Sequence, residues 1–305
     1  MKLAVVLLHW EDVAATALCI ASVEAAARIA SDDCVTHLLL VDNGSATPLT
    51  LDELASCTSS RIELIRNDHN LGFSGGMNVG VLAAKSAGAD AIWLLNNDTQ
   101  LEPNAINAMV NYLGKNPEIA CVGSVILDND GSQISTIGGY TYQPWLSRAK
   151  PIGYRVAPKY AAKAARNFDY VCGSAIMLAP AYFQKLTTIP NQSFLYFEEL
   201  YLSRALSEHG LTAQVCSEVL IRHTRGVGTS KLENSQRSYL VTISALQYTW
   251  QYHPFLIPTV LIARVARAIY LSVEARQLGT LIGCFKAVFH FLSRCHEHTP
   301  KRAAA

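Results

Sequence analysis

The stretch Trp93-Leu94-Leu95-Asn96-Asn97-Asp98-Thr99 (WLLNNDT) decides how the chain folds. With Ala91 and Ile92 before it, an apolar run ends abruptly in three polar residues. A continuous apolar run of this length reads as a strand covered on both faces, as in a parallel sheet between two layers of helices. The polar residues then fall at the strand's carboxyl end, where open α/β sheets bind their ligands. Asp98 at that position reads in two ways: as a metal-holding carboxylate, or with Thr99 as the cap of a following helix.

The same alternation runs outward from this strand. LAVVLL (3–8), THLLLVDNGS (36–45), RIELIRND (61–68) and IACVGSVIL (119–127) read as strands. Between them, the Ala-rich 12–30, GGMNVGVLAAKSAG (75–88) and EPNAINAMVNYLGKN (102–116) read as helices, the last with Pro103 near its first turn. Strands alternating with helices predict a doubly wound α/β layer. Residues 128–168 read as a long irregular segment, of the kind that is functional or mobile. Strand character resumes in YVCGSAIML (170–178) and AQVCSEVLIRHT (213–224), on either side of a helix in EELYLSRALSEHG (198–210) that Gly210 ends.

Composition narrows the function. A chain of 305 residues accommodates one large domain with an appendage. Its net charge of +1 offers no positive field to release counterions from a phosphate backbone, which argues against a nucleic-acid binder. The eight cysteines form no CxxC or Cys/His cluster, and Glu11 and Asp12 interrupt the short apolar start before a secretory signal could form. Reduced thiols in a cytoplasmic protein are expected.

The polar segments at strand ends describe a site for a phosphate-bearing ligand. In VDNGS, Asp42 stands where it can accept hydrogen bonds from a base or ribose, although the stretch taken alone reads first as an Asx-turn with Gly44 at positive φ. NLGFSGGMNVG (70–80) opens a helix with Gly72, Gly75 and Gly76, which let a ligand approach the backbone and its free N–H groups. It is not the GxGxxG fingerprint, and no glycine follows the first strand, so a dehydrogenase is unexpected. Asn96 and Asn97 stand beside Asp98 as sugar or phosphate contacts. FLYFEELYL (194–202) sets Glu198 and Glu199 behind an aromatic run. They read as dipole complements of a first turn, or as carboxylates whose apolar setting raises a pKa toward general-base use. His223 ends a strand before the loop at 225–230; beside a metal it would be a ligand, and otherwise structural.

Taken in order, "VVLLHW … VDNGS … NLGFSGGMNVG … WLLNNDT … GSAIML … YFEELYLSRALSEHG … IRHTRG" resembles the family 2 glycosyltransferases of the GT-A fold, and most nearly their rhamnosyltransferase-like branch. The resemblance covers roughly residues 1–250. It implies an α/β GT-A domain there, Rossmann-like on a mixed, mostly parallel sheet, with a nucleotide-sugar-binding half (1–127) and an acceptor-binding, catalytic half (128–250). It implies that Asp42 contacts the base and that Asn70, Gly72, Phe73, Gly76 and Asn78 line the nucleotide. Asn97 and Asp98 match the DXD-type segment, with Asp98 holding Mg²⁺ or Mn²⁺ against the diphosphate and His223 completing the metal shell. Glu199 matches the catalytic base and Glu198 its neighbour.

The chain departs from that pattern at several positions. His9-Trp10 ends the first strand where Tyr-Asn is usual, Tyr201 replaces the family's second aspartate, and the base is a glutamate, longer by a methylene. YLVTIS (239–244) lacks the usual Arg-Asn. The implied activity is inverting transfer of a sugar, on branch resemblance L-rhamnose from dTDP-rhamnose, to a saccharide or polyprenyl-diphosphate-linked acceptor in cell-surface polysaccharide synthesis. A UDP-hexose donor, a nucleotidyltransferase and a non-catalytic glycosyltransferase-like partner protein are the alternatives.

The last 55 residues (251–305) read as an amphipathic helical extension. Residues 255–294 contain no charge-free run near eighteen residues, which argues against a bilayer span. Arg264, Arg267 and Glu274 fall on one narrow helical face, and Lys286, His290 and Arg294 on another. Two short helices lying in the membrane interface, arginines toward the headgroups, are therefore expected, with the protein peripheral on the inner face of the cytoplasmic membrane. A helical hairpin packed on the domain or against a second subunit, which includes a homodimer, is the other reading.

Overall fold

The computed structural model describes residues 1–30, 34–55, 62–163, 167–224, 232–274 and 276–294. They form two compact units: the first spans 1–141, 151–192 and 198–228, the second 142–150, 193–197 and 229–305. The loop at 225–230 lies outside the described residues.

A sheet of nine described strands organises the first unit. β1 (Lys2–His9), β2 (Val35–Asp42), β3 (Ile62–Arg66) and β4 (Ala91–Asn96) are parallel, in the order β3-β2-β1-β4. β11 (Ala175–Leu178) lies antiparallel between β4 and β6 (Cys121–Leu127), and β12 (Ala213–His223) runs parallel to β6. β5 (Thr99–Leu101) closes the edge antiparallel to β12, and β7 (Ile134–Thr136) pairs with β6. The expected α/β class is the observed one, and its antiparallel members make the sheet mixed.

The apolar runs are continuous because both faces of the sheet are covered. Leu3, Val5 and Leu7 of β1 pack with Cys19, Ile20 and Val23 of α1 (Val13–Ile29). The alternate residues Ala4 and Val6 pack with Met77, Val81 and Ala84 of α2 (Gly72–Ser86). β4 divides likewise, Trp93 and Leu95 to the α1 side, Ile92 and Leu94 to the α2 side. That is the period of two expected of a strand buried twice. α1 starts where the Asp12 carboxylate caps it by accepting from the Ala15 amide (2.9 Å). α3 (Ala105–Lys115) begins beyond Pro103, later than the sequence spacing predicts.

Two sequence expectations change here. The residues after Asn97-Asp98 form β5, not a helix, so neither Asp98 nor Thr99 is a helix cap; the Thr99 hydroxyl instead donates back to the Asn96 carbonyl (2.7 Å). The segment read as irregular, 128–168, contains β7, β8 (Gly139–Gln143), β9 (Arg148–Pro151) and a 3₁₀ turn at Pro158–Lys163. β8 pairs antiparallel with β10 (Tyr170–Val171), where the rings of Tyr140 and Tyr170 stack at 5.3 Å. α4 (Glu198–Glu208) completes this unit, and Gly210 beyond it has φ 66°.

The second unit holds α5 (Asn234–Tyr252), α6 (Ile257–Glu274) and α7 (Leu278–Arg294). α5 shares one core with the two helices after it: Ile243, Leu246, Val260, Ala287 and Phe291 pack together. Arg264 does not point outward as the helical wheel suggested. Its guanidinium donates to the Ser147 carbonyl (2.8 Å) inside this unit, and burial lowers its pKa to about 10, still protonated near neutrality. His290 is likewise engaged, stacked on and hydrogen-bonded to Tyr239. Pro254–Glu274 is long and apolar enough to cross a membrane by length and composition, despite its charges. Among the described residues Cys19, Cys121, Cys172, Cys216 and Cys284 are buried.

Candidate active site

In the order β3-β2-β1-β4 the direction of winding reverses between β1 and β4, and open α/β sheets bind their ligands at such a switch, beyond the carboxyl ends of the strands. Asn97 and Asp98 are the turn between β4 and β5 at this place. The β5–β12 pairing sets His223 opposite Thr99, so His223 Nε2 lies 3.1 Å from Asp98 Oδ1. Thr224 fixes the turn by donating its amide to the Asp98 carbonyl (3.0 Å). Asp98 and His223 are 8% and 15% exposed, buried enough to strengthen their attraction for a charge and open enough to meet one.

The two asparagines divide their tasks. Asn97 is buried and donates to the Thr16 hydroxyl (3.0 Å) in the first turns of α1. Thr16 also meets His9 Nδ1 (2.7 Å) and donates its own proton to the Asp12 carbonyl (2.8 Å). His9 thus holds the end of β1 to α1. The Asn96 backbone amide donates to the Ser174 carbonyl (3.0 Å), while its buried side-chain Oδ1 has no hydrogen-bond partner.

A divalent cation fits this donor set on one condition. Among the described residues no group of three His, Cys, Asp or Glu side chains gathers, so Asp98 and His223 supply one oxygen and one nitrogen. The orphaned Asn96 oxygen shows that polar ligation in this region is incomplete. Mg²⁺ and Mn²⁺ take six ligands and keep waters or substrate phosphates among them. The residues therefore suit a cation that arrives with a diphosphate.

Glu198 and Glu199 open α4 as expected, immediately after Tyr196 and Phe197, which both have positive φ (70° and 74°). Consecutive bulky residues in the left-handed region are strained, a condition that gathers at functional sites. Phe197 is packed by Tyr142 and Tyr248 within the second unit, and Glu198 is buried. Glu199 Oε1 accepts from the Gly173 amide (3.2 Å). Burial pushes its carboxyl above the ordinary range, more than its backbone hydrogen bonds lower it. Gly173 is the necessary seat, since a Cβ there would stand 2.3 Å from Glu199 Oε1. Ser174, the next residue, is the one whose carbonyl meets Asn96. A chain of contacts thus runs from Glu199 through Gly173 and Ser174 to Asn96, and on through the turn to Asp98 and His223.

Gly173→Ala should test that seat. The added methyl meets a flexible carboxylate, so the fold persists and Glu199 moves. A displacement near 1 Å is enough to cost about 10²-fold in rate, measured as turnover with an unchanged circular dichroism spectrum. An unchanged rate would mean that the seat is irrelevant.

The predicted nucleotide loops come together through a residue that the sequence reading passed over. Asn43, buried, donates to Asn70 Oδ1 and to the Gly72 carbonyl (both 3.0 Å), and accepts from Asn67 (3.0 Å) and the Leu71 amide (3.1 Å). Gly76 must be glycine, because a Cβ would lie 2.9 Å from the Asn43 amide. Asp42 is fully buried and accepts from the Ser45 and Leu49 amides (3.0 and 3.1 Å) and from Arg66. Burial works against its charge, but Ser45, the Leu49 amide and Arg66 outweigh it and hold the carboxyl below the usual range. Asn78 is paired with the Ile189 backbone in both directions (2.8 and 2.9 Å). Phe73 is half-buried against the α2-side core. Asp42, Asn70 and Asn78 thus shape the loops, whatever further contacts their remaining lone pairs make. Asn43→Ala strands several buried partners and should cost about 1–3 kcal/mol by urea unfolding; a smaller loss would mean that water replaces it.

The family model described as "Glycosyl transferase family 2" matches residues 11–173, just over half of the chain. A low-salt glycan biosynthesis hexosyltransferase of Haloferax volcanii is 21% identical over 68% of this chain and 64% of its own. A galactofuranosyltransferase of Mycobacterium tuberculosis is 24% identical over 62% of this chain and 61% of its own. The matched region thus spans less than two thirds of these relatives' length. Among solved structures, GalNAc-T7 crystallised with UDP, GalNAc and Mn²⁺ superposes with a TM-score of 0.57 at 14% identity, over 83% of this chain and 51% of that one. TarS of S. aureus (residues 1–349) gives 0.52 at 10% identity, over 94% and 81%. The fold is GT-A, and the chain belongs to glycosyl transferase family 2.

Proposed function

We propose that the chain is an inverting glycosyltransferase that moves one sugar from a nucleotide donor to a saccharide hydroxyl by single displacement. Glu199 takes the proton of the acceptor hydroxyl as that oxygen attacks the anomeric carbon, and the bond to the nucleoside diphosphate breaks with its electron pair leaving on phosphate oxygen. Its raised pKa makes it a stronger base than a solvated glutamate. Asp98 and His223 stand at the pyrophosphate end of the donor, and Asn43 and Gly72 order the loop against which the nucleotide lies. Mg²⁺ or Mn²⁺, when bound by Asp98 and His223 together with that diphosphate, would neutralise charge on the leaving group. The observation that carries the reading is the contact chain from Glu199 to His223 at the strand ends.

The donor is dTDP-L-rhamnose, on the resemblance of the ordered motifs. The relatives' names, hexosyl- and galactofuranosyltransferase, favour a second reading in which the donor is a UDP-hexose. The acceptor is a saccharide on a polyprenyl diphosphate, met at the inner face of the cytoplasmic membrane. A thermal-shift screen of nucleotide sugars with and without Mn²⁺ tests this. One donor should stabilise the protein only with the metal, by about 2.7 kcal/mol at a hundredfold excess over Kd, and then support transfer. If no nucleotide sugar binds, the chain is a non-catalytic partner protein.

A further inference from the structure

The last helix of the second unit is built inside out. On α7 the residues turned into the shared core are small, Gly283, Cys284 and Ala287, with Phe291 the one large exception. The large ones, Leu278, Ile282, Phe285, Phe289 and Leu292, recur at i, i+4, i+7, i+11 and i+14 and are exposed, Phe289 by 76%. α6 also carries an outward stripe: Ile262, Ile269 and Val273 are exposed in line with Phe255, 95% exposed in the turn before the helix. Arg264 lies half a turn away from that stripe, on the face packed inward. Both stripes point away from the unit's own core, and apolar surface of this extent marks an interaction site.

A third apolar element belongs to the same unit. Trp145, 64% exposed, and Leu146 form the turn between β8 and β9. Ser147 pins that turn from two sides: its carbonyl accepts from Arg264 of α6, and its hydroxyl meets Tyr142 (3.0 Å). The arginine that the sequence assigned to headgroups thus fastens a tryptophan turn to α6. Exposed cations accompany the apolar groups, with Arg148 and Lys150 after the turn and Arg267, Arg276 and Lys286 on or beside the helices. Glu274 is the one acidic residue between 254 and 294.

We infer that the Trp145–Leu146 turn, together with the outward stripes of α6 and α7, enters the headgroup region of an anionic bilayer with the helices lying along its surface. The inference rests on the membrane placement proposed above and specifies which face makes the contact. Large apolar groups among cations, with a tryptophan beside them, are what an interface between acyl chains and anionic headgroups takes up. One face of α6 is already committed to the protein core through Ile257, Val260 and Ala268, so lipid cannot surround the helix as it would a span.

Co-sedimentation of the full chain with vesicles of phosphatidylcholine and phosphatidylglycerol tests this. The wild type should pellet with the vesicles and be released by alkaline carbonate. Trp145→Ser with Leu146→Ser, and separately Phe285→Ser with Phe289→Ser, should each lower partitioning about tenfold, with Mn²⁺-dependent nucleotide binding unchanged. If both double variants pellet like the wild type, the face is wrong while the membrane placement stands. A wild type that ignores vesicles overturns the membrane placement itself. Resistance to carbonate would mean that α6 spans the bilayer. A dimer in sedimentation velocity that the Phe285/Phe289 variant dissolves would mean that the stripes face a second copy.

Discussion

Glu199→Gln should lower the turnover of sugar transfer by about 10²–10⁴-fold, the usual share of a positioned general base, with donor binding intact. Glutamine keeps the shape and the oxygen that accepts from Gly173, so the α4 start and the seat survive while the basic lone pair is lost. Near-normal transfer by this variant would remove Glu199 from the reaction. The pH dependence gives an independent reading. Burial raises the Glu199 pKa, so transfer should fall as pH drops through that raised value, at a higher pH than an ordinary glutamate would show. Stability has the opposite sign. Between the ordinary and the raised value the folded protein holds a proton that the unfolded chain has lost, so this group makes stability fall as pH rises. Glu199→Gln removes that dependence, and its unfolding midpoint should gain on the wild type with increasing pH.

Asp98→Ala should cost about 10²–10³-fold in turnover, comparable to deleting one preorganised electrostatic contact to a developing charge. It should also abolish the part of donor stabilisation that depends on Mn²⁺. The reason is arithmetic of ligands: among the described residues Asp98 and His223 are the protein's share, and neither retains a hard cation alone. His223→Ala should therefore weaken the same metal-dependent binding. Full metal-dependent binding by Asp98→Ala in calorimetry would reduce the turn to a structural corner of β4 and β5.

The parts of the fold that were legible from sequence are those that local pattern determines. LAVVLL, AIWLLNND and their neighbours are buried on both faces, so their apolar runs are unbroken and their helices follow at regular spacing. β5 escaped because three residues carry no periodicity, and its partner β12 lies more than a hundred residues away in the chain. That pairing turned a supposed helix cap into a strand corner and brought His223 to Asp98. β9, Arg-Ala-Lys-Pro, has two charges and a proline and offers no strand signal at all.

In the site, the ordered motifs pointed to Asp98, Glu199 and His223, the side chains to which reactive roles are proposed, since residue type is visible in the sequence. What holds them was hidden. Gly173 and Ser174 act through a backbone amide, a missing Cβ and a carbonyl, and Asn43 through a network of amides, none of which a side-chain inventory reveals. Arg264 shows the converse. A helical wheel assigns it a face but cannot see the Ser147 carbonyl that draws it inward.

Single displacement by Glu199 is tested most directly by the anomeric configuration of the product, read by proton NMR in the first turnovers with the donor that the thermal-shift screen identifies. The new glycosidic bond should carry the configuration opposite to the donor's. A retained configuration would require a second displacement, and would contradict the assignment of Glu199 as the base that drives the acceptor hydroxyl onto the sugar.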